Sequence, residues 1–300
     1  MENERPLPLS SFILKIIAMV LMTCDHLGFF LLLYLPGGVA SEVGHWLRVA
    51  GRLAFPLFMF MLAEGMNHTR NPWKYLLRIS LLYVPITVFE TIIVYGFPKE
   101  FYGPDALWPE PFADVFWVGL TLACLKLKGP KKLFALLPAS FLALSFGVGV
   151  FDHFNDAYAH VAWFPYYLRA GYSLFGLAVG LGFFYAPKIA FFFMKGFAAD
   201  MGMSEDVLKE SKGYQRACNL ISVGFFFLAL LLFWGLSYMT PGREISPDTD
   251  MSLETYALLA IPFIYLYNGK RGYDSKPFRI FTYLYFPLHM AVLYLIFALI

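Results

Sequence analysis

Nine apolar stretches, at about 12–35, 47–66, 75–97, 111–127, 133–150, 161–186, 217–239, 253–267 and 279–299, follow one another along the chain, most of them near the length a bilayer requires. Crossing a hydrocarbon core of about 30 Å takes about 20 helical residues, and in lipid every backbone N–H and C=O must find its partner inside the spanning element. Such stretches therefore specify helices. A soluble domain of 300 residues does not carry 59% hydrophobic and only 15% charged residues with a mean hydropathy of +0.61. The expected fold is an all-α, polytopic integral membrane helix bundle of about nine transmembrane helices, within a range of about eight to ten, forming one domain over residues 1–300. The polar start MENERPLPLSS runs into an apolar stretch longer than a signal-peptide core and without a small-residue cleavage site, so the first span is expected to be retained.

Orientation follows from basic residues. With the N-terminus inside, sixteen fall in inner loops: Arg70, Lys74 and Arg78; Lys126, Lys128, Lys131 and Lys132; Lys188, Lys195, Lys209, Lys212 and Arg216; Lys270, Arg271, Lys276 and Arg279. Two, Lys99 and Arg243, fall outside. The asymmetry predicts a cytoplasmic N-terminus and an odd number of spans. The net charge of +2 does not point to nucleic acid, because the basic residues gather in short loops rather than in one patch, and no nucleic-acid partner is expected. Cys24, Cys124 and Cys218 have neither metal nor disulfide spacing, and no metal is expected. The stretch 161–194 is long enough to hold a broken or re-entrant helix. Prolines within the apolar runs, Pro56, Pro85, Pro138, Pro165, Pro262 and Pro287, predict kinked helices around a central cavity.

The first span carries an adjacent acid and base, Asp25 and His26. Ionisable side chains that deep in hydrocarbon are expensive unless something inside the protein pairs or uses them, which marks a functional site. Lys15 lies eleven residues before His26, close to the same helix face and about 16 Å away along the axis. Arg52, Glu90, Arg169 and His289 come out at depths of about 8 to 15 Å in other spans, at the broad level of His26. They are either partners in an interhelical ion network or parts of a site. In the second span Arg48 and Arg52 share one face, and Glu64 and His68 share one at the other end. Gly51 permits close approach and Pro56 bends the axis, while Thr69-Arg70-Asn71-Pro72 should break the helix. Arg70, Lys74 and Arg78, with Lys15 near them in depth, are either the orientation signal alone or a phosphate-sized set of cations at the inner foot of the helix pair that bears His26 and Arg52.

Three blocks, LKIIAMVLMTCDH, GRLAFPLFMFMLAEGMNHTRNPWKYLLRISLLYVP and YNGKRGYDSKPFRIFTYLYFPLHMAVLYLI, resemble the TraX family, named for the conjugation protein associated with acetylation of the F-pilin amino terminus. The likeness covers about the first ninety and the last thirty-five residues. TraX proteins in turn resemble the integral membrane acyltransferases of acyltransferase family 3, in which an arginine precedes a first-span histidine by eleven residues. Lys15 stands in that place here, keeping the charge without the planar fork. The resemblance implies a membrane-bound acetyltransferase of the bacterial cytoplasmic membrane. Its co-substrate is acetyl-CoA or another acyl-CoA, with no permanently bound cofactor. Its acceptor is a pilin, an envelope polymer or a small amine or hydroxyl compound.

On that reading His26 is the general base, Asp25 holds it or pairs with Arg48, Arg52 or Arg169, and Arg52 orients the thioester. His289, in the FPLH motif of the last span, is a second base candidate. Two other classes use the same residues: a secondary transporter or flippase relaying protons through the buried cluster, and a noncatalytic partner of a conjugation or envelope complex. A transporter calls for repeat symmetry, and the second half of the chain does not repeat the first.

Overall fold

The computed structural model describes residues 7–97, 111–154, 163–240, 243 and 250–299. In chain order the helices are α1 (Ser11–Tyr34), α2 (Gly38–Gly51), α3 (Ala54–His68), α4 (Pro72–Gly96), α5 (Pro111–Leu125), α6 (Leu136–Phe154), α7 (Ser173–Asp200), α8 (Glu205–Glu210), α9 (Lys212–Ser237), α10 (Met251–Glu254), α11 (Ile261–Tyr265) and α12 (Lys276–Phe297). No strand occurs among the described residues; Leu9 and Tyr267 form an isolated parallel bridge.

Local sequence sets most helix ends. The Ser10 hydroxyl accepts from the Ile13 N–H at the start of α1, and Ser275 does the same for Phe278 at the start of α12. Between α3 and α4 the expected break falls at residues 69–71. Pro72 opens α4, and the Asn71 side chain caps it by accepting from the Lys74 N–H. The Lys126 ammonium donates to the carbonyls of Met66 and Thr69, satisfying groups that the end of α3 leaves open.

Among the described residues, seven helical stretches are long and apolar enough to cross a membrane: Ser11–Tyr34, Gly38–His68, Pro72–Gly96, Gly129–Phe154, Ser173–Asp200, Lys212–Ser237 and Lys276–Phe297. They make the chain a multi-pass membrane protein. The other two expected spans correspond to shorter apolar helices, Pro111–Leu125 and Met251–Tyr265. The second of these is interrupted by a 3-10 stretch over Thr255–Ala260.

Three sequence expectations need correction. The second span is two helices rather than one, with Arg52 and Leu53 at the break. Pro56 has no N–H to offer the Arg52 carbonyl four residues earlier, and its ring crowds that carbonyl, which favours a break at this point. The sixth span begins later than 161 and ends later than 186: α7 starts at Ser173 and continues across Pro187 to Asp200. Arg169 consequently precedes the helix instead of lying within it. The prolines bend fewer helices than expected. Only Pro85 and Pro287 of the six lie inside a helix. Pro56, Pro138 and Pro262 occupy first turns, where a missing N–H leaves nothing unpaired, and Pro165 is outside the helices.

The chain divides into two compact units. The first comprises Met1–Met61, Tyr185–Phe227 and Leu253–Ile300; the second comprises Leu62–Phe184 and Leu228–Ser252. In the first, α1 packs on α2 through glycine. A Cβ on Gly28 would come within 2.5 Å of the Gly44 carbonyl oxygen, and one on Gly51 within 2.6 Å of the Asp25 Cα. On the opposite flank Phe30 packs with Leu293 and Phe297 of α12. The second unit is organised on α5, whose Ala113, Val118, Leu122 and Ala123 are buried. Trp117 stacks on Phe141 at 4.1 Å, and the Asp114 carboxylate accepts from the N–H groups of Tyr172 and Ser173, capping α7.

Candidate functional site

The first unit gathers five of the sequence candidates in its interior. Asp25 and His26 are adjacent on α1, but successive helical residues point about 100° apart, and they take different partners. Arg52 donates to an Asp25 oxygen at 2.5 Å, and Arg48 stands 3.7 Å from the other oxygen. Asp25 therefore pairs with the two arginines of α2 and its C-cap. The break at Arg52 matters here, because a guanidinium at a helix terminus can turn back toward α1. Gly51 brings the two backbones close enough for it to reach.

On its far side Arg52 faces Glu254 at 3.6 Å. Glu254 is fully buried, so Arg48, Asp25, Arg52 and Glu254 form one set of two basic and two acidic side chains. Balanced pairing is what allows such charges below the membrane surface. Sequence reasoning missed Glu254. It sits at the polar edge of the apolar run 253–267, where an acid reads as a span boundary, and only its burial separates it from one.

The two histidines meet across α1 and α12. His26 Nδ1 lies 2.8 Å from His289 Nε2, and His289 Nδ1 lies 2.9 Å from the Tyr285 carbonyl oxygen. A carbonyl only accepts, so His289 carries its proton on Nδ1, and neutral His289 presents a lone pair at Nε2. His26 then donates from Nδ1. Its Nε2 is left as the lone pair of the site. Tyr285 stacks on His289 at 5.1 Å, and its hydroxyl lies 2.6 Å from Thr23 Oγ1, which itself donates to the Met19 carbonyl. The Phe286 ring meets His26 edge-on. Toward the C-terminal half of α1, an open groove of about 360 Å³ is lined by Phe29, Leu32, Leu33, His45, Arg48 and Leu253.

Lys15 lies in the same unit at the opposite end of α1, where its charged neighbours are Asp274, Arg271 and Arg279. The remaining candidates belong to the second unit. Arg70, Lys74 and Arg78 are exposed there. Glu64 and His68 form an i, i+4 pair at 3.7 Å, and His68 Nδ1 also lies 2.9 Å from the Glu64 carbonyl oxygen. Glu90 is buried on α4. Arg169, wholly buried, donates to Asp152 at 2.5 Å and to the Phe164 carbonyl at 2.9 Å. It is thus the partner of Asp152, not of Asp25. Together with Asp114, which caps the next helix, these bonds hold the chain in place before α7.

No solved structure matches this chain. A "Probable fimbrial assembly protein FimC, serogroup H1" from Dichelobacter nodosus is 31% identical over 153 residues, which cover 49% of this chain and 60% of that protein. The chain thus spans less than two thirds of that relative's length. Residues 10–100 match the family model described as TraX protein, a segment that holds Lys15, Asp25, His26, Arg48 and Arg52, while His289 and Glu254 lie beyond it.

Proposed function

We propose that the protein is a TraX-family membrane acyltransferase, related to acyltransferase family 3, that uses acetyl-CoA or another acyl-CoA to acylate an amine or hydroxyl acceptor. The observation that carries this is the oriented pair His26–His289 beside the Asp25–Arg52 ion pair. An acyl transfer needs a base for the acceptor, a charge near the thioester carbonyl and room for two reactants. His26 Nε2 takes the proton from the acceptor O–H or N–H as its heavy atom attacks the thioester carbon. The tetrahedral oxyanion collapses by breaking the C–S bond, and the proton passes from His26 to the departing thiolate. Asp25, next to His26 in the chain, supplies the negative charge that favours the transient imidazolium, and Arg52 supplies positive charge for the oxyanion. The open groove beside Arg48 suits the acceptor.

The resemblance to a fimbrial assembly protein and to TraX favours a pilin or other envelope component as acceptor, with the bacterial cytoplasmic membrane as the location. Purified protein should release thiol from acetyl-CoA when an acceptor amine or hydroxyl is supplied. His26→Ala should keep its fold and its acyl-CoA affinity and lose turnover by about two to four orders of magnitude, the range for a positioned proton acceptor. A His26→Ala protein working at the parent rate would remove the mechanism and favour the transporter reading, in which the imidazole carries a proton or binds cargo.

A further inference from the structure

The turn after α11 is held in an unusual way. The segment before α1 runs alongside it: Leu9 N–H donates to the Leu266 carbonyl, Asn268 N–H to Leu9, Ser11 N–H to Lys270 and Phe12 N–H to Arg271, at 2.8 to 3.2 Å. The turn carries Gly269 and Gly272 at φ +73° and +69°, a conformation that suits glycine. A Cβ on Gly272 would reach within 2.5 Å of the Ser10 hydroxyl, and one on Gly269 would strike the Gln215 side chain. From α9, Asn219 donates to the carbonyls of Tyr265 and Tyr267. The sequence Asn268-Gly269-Lys270-Arg271-Gly272 is therefore pinned on several sides.

A loop whose charges served orientation alone would need none of this. The pinning brings Arg271 to Lys15. Asp274 sits between, 3.7 Å from the Arg271 guanidinium and 3.2 Å from Arg279 Nε, and is also a charged neighbour of Lys15. One carboxylate thus gathers three cations and leaves an excess of about two positive charges, the charge a phosphate ester complements. Beside them Tyr273 is 61% exposed, its ring edge-on to Phe12, which itself packs against Phe278. An exposed aromatic face held next to fixed cations suits a nucleotide base stacked above its own phosphates.

We propose that Lys15, Arg271 and Arg279, gathered by Asp274 and flanked by Tyr273, form a binding site for a phosphorylated adenine nucleotide, the handle of the acyl donor. The identification of the handle with the donor rests on the acyltransferase reading; the phosphate site itself does not. The site and His26 lie about 16 Å apart along α1, so an extended thiol-bearing arm would connect them. The competing source of the same phosphate chemistry is a lipid headgroup, which has no use for Tyr273.

The test is binding of 3′,5′-ADP and of CoA to the full-length protein in phosphatidylcholine nanodiscs, with retention of phosphatidylglycerol measured in parallel. Arg271→Gln/Arg279→Gln and Lys15→Gln should each raise the nucleotide Kd at least about tenfold and flatten its dependence on salt, as loss of phosphate contacts requires. Tyr273→Ala should weaken nucleotide alone. His26→Ala should bind at parent affinity, so a failure of the transfer chemistry would not disturb this measurement. Phosphatidylglycerol retention that depends on the three cations, without nucleotide binding, would overturn the nucleotide assignment in favour of a lipid site. Parent-like nucleotide binding in the folded Lys15→Gln and double variants would overturn the site itself.

Discussion

His26 and His289 are each half of a device that neither makes alone. The main-chain carbonyl of Tyr285 fixes the proton on His289 Nδ1, His289 Nε2 then accepts from His26, and the basic lone pair of His26 is aimed away from both. Replacing His289 by Phe should remove the acceptor and let the His26 ring take either tautomer. Turnover should fall about tenfold to a hundredfold, less than on loss of His26 itself, while acyl-CoA affinity holds. His289→Gln, whose amide oxygen can accept from His26, should recover part of that loss. Equal loss in the two variants would show that His289 is a packing group. Asp25, His26, Arg48 and Arg52 were legible in the sequence because an ionisable group inside an apolar helix has no other ready explanation. Tyr285 was not, since it acts through its backbone, which no pattern of side chains reports. Glu254 was hidden by its neighbours: polar residues precede it, and burial is a property of the fold. Arg169 was misread because depth was counted along a helix that begins only at Ser173.

At the scale of helices, the α1–α2 contact sets the distance between Asp25 and its arginines. Gly51 lies against the Cα and Cβ of Asp25 as well as its Oδ1, and the first two cannot swing aside, so an added methyl forces the helices apart. Gly51→Ala should destabilise the protein by about 1 to 3 kcal/mol, as forced overpacking does, and lower turnover along with Tm. Gly224→Ala is the control, because a Cβ there meets nothing within 4 Å. Equal melting temperatures for the two variants would contradict the close packing. The role of Gly51 could be read in advance from a small residue next to Arg52. The split of the second span could have been read too, since Pro56 withdraws its N–H from the Arg52 carbonyl. The pinned turn at 268–272 was less accessible: its bonds run to Leu9–Phe12 at the other end of the chain, a separation that local sequence patterns do not report.

For the molecule as a whole, the proposed transfer makes sidedness the link between donor and acceptor. The sixteen-to-two partition of basic residues supports a cytoplasmic N-terminus, although Lys99 lies outside the described residues. Seven and nine spans both put the C-terminus outside, and they differ at Lys128. If α5 does not cross, Lys128 follows three spans and lies outside; if it does, Lys128 is cytoplasmic. Lys126, Lys128, Lys131 and Lys132 predict the latter, despite a helix of 15 residues, about 22 Å long. A reporter fused after Lys128 should score cytoplasmic, and an external score would reduce the count of spans. That topology sets Lys15 and the turn at Lys270 on the cytoplasmic side and the groove beside Arg48 toward the outer side, with His26 between them. The central claim is therefore acyl transfer from one face to the other, and oriented proteoliposomes test it most directly. Radiolabelled acetyl-CoA is supplied only at the face bearing the N-terminus, and an impermeant amine or hydroxyl acceptor only at the opposite face. The account predicts one labelled acceptor for each thiol released, abolished by His26→Ala; thiol release without acceptor labelling, or labelling that survives His26→Ala, would contradict it.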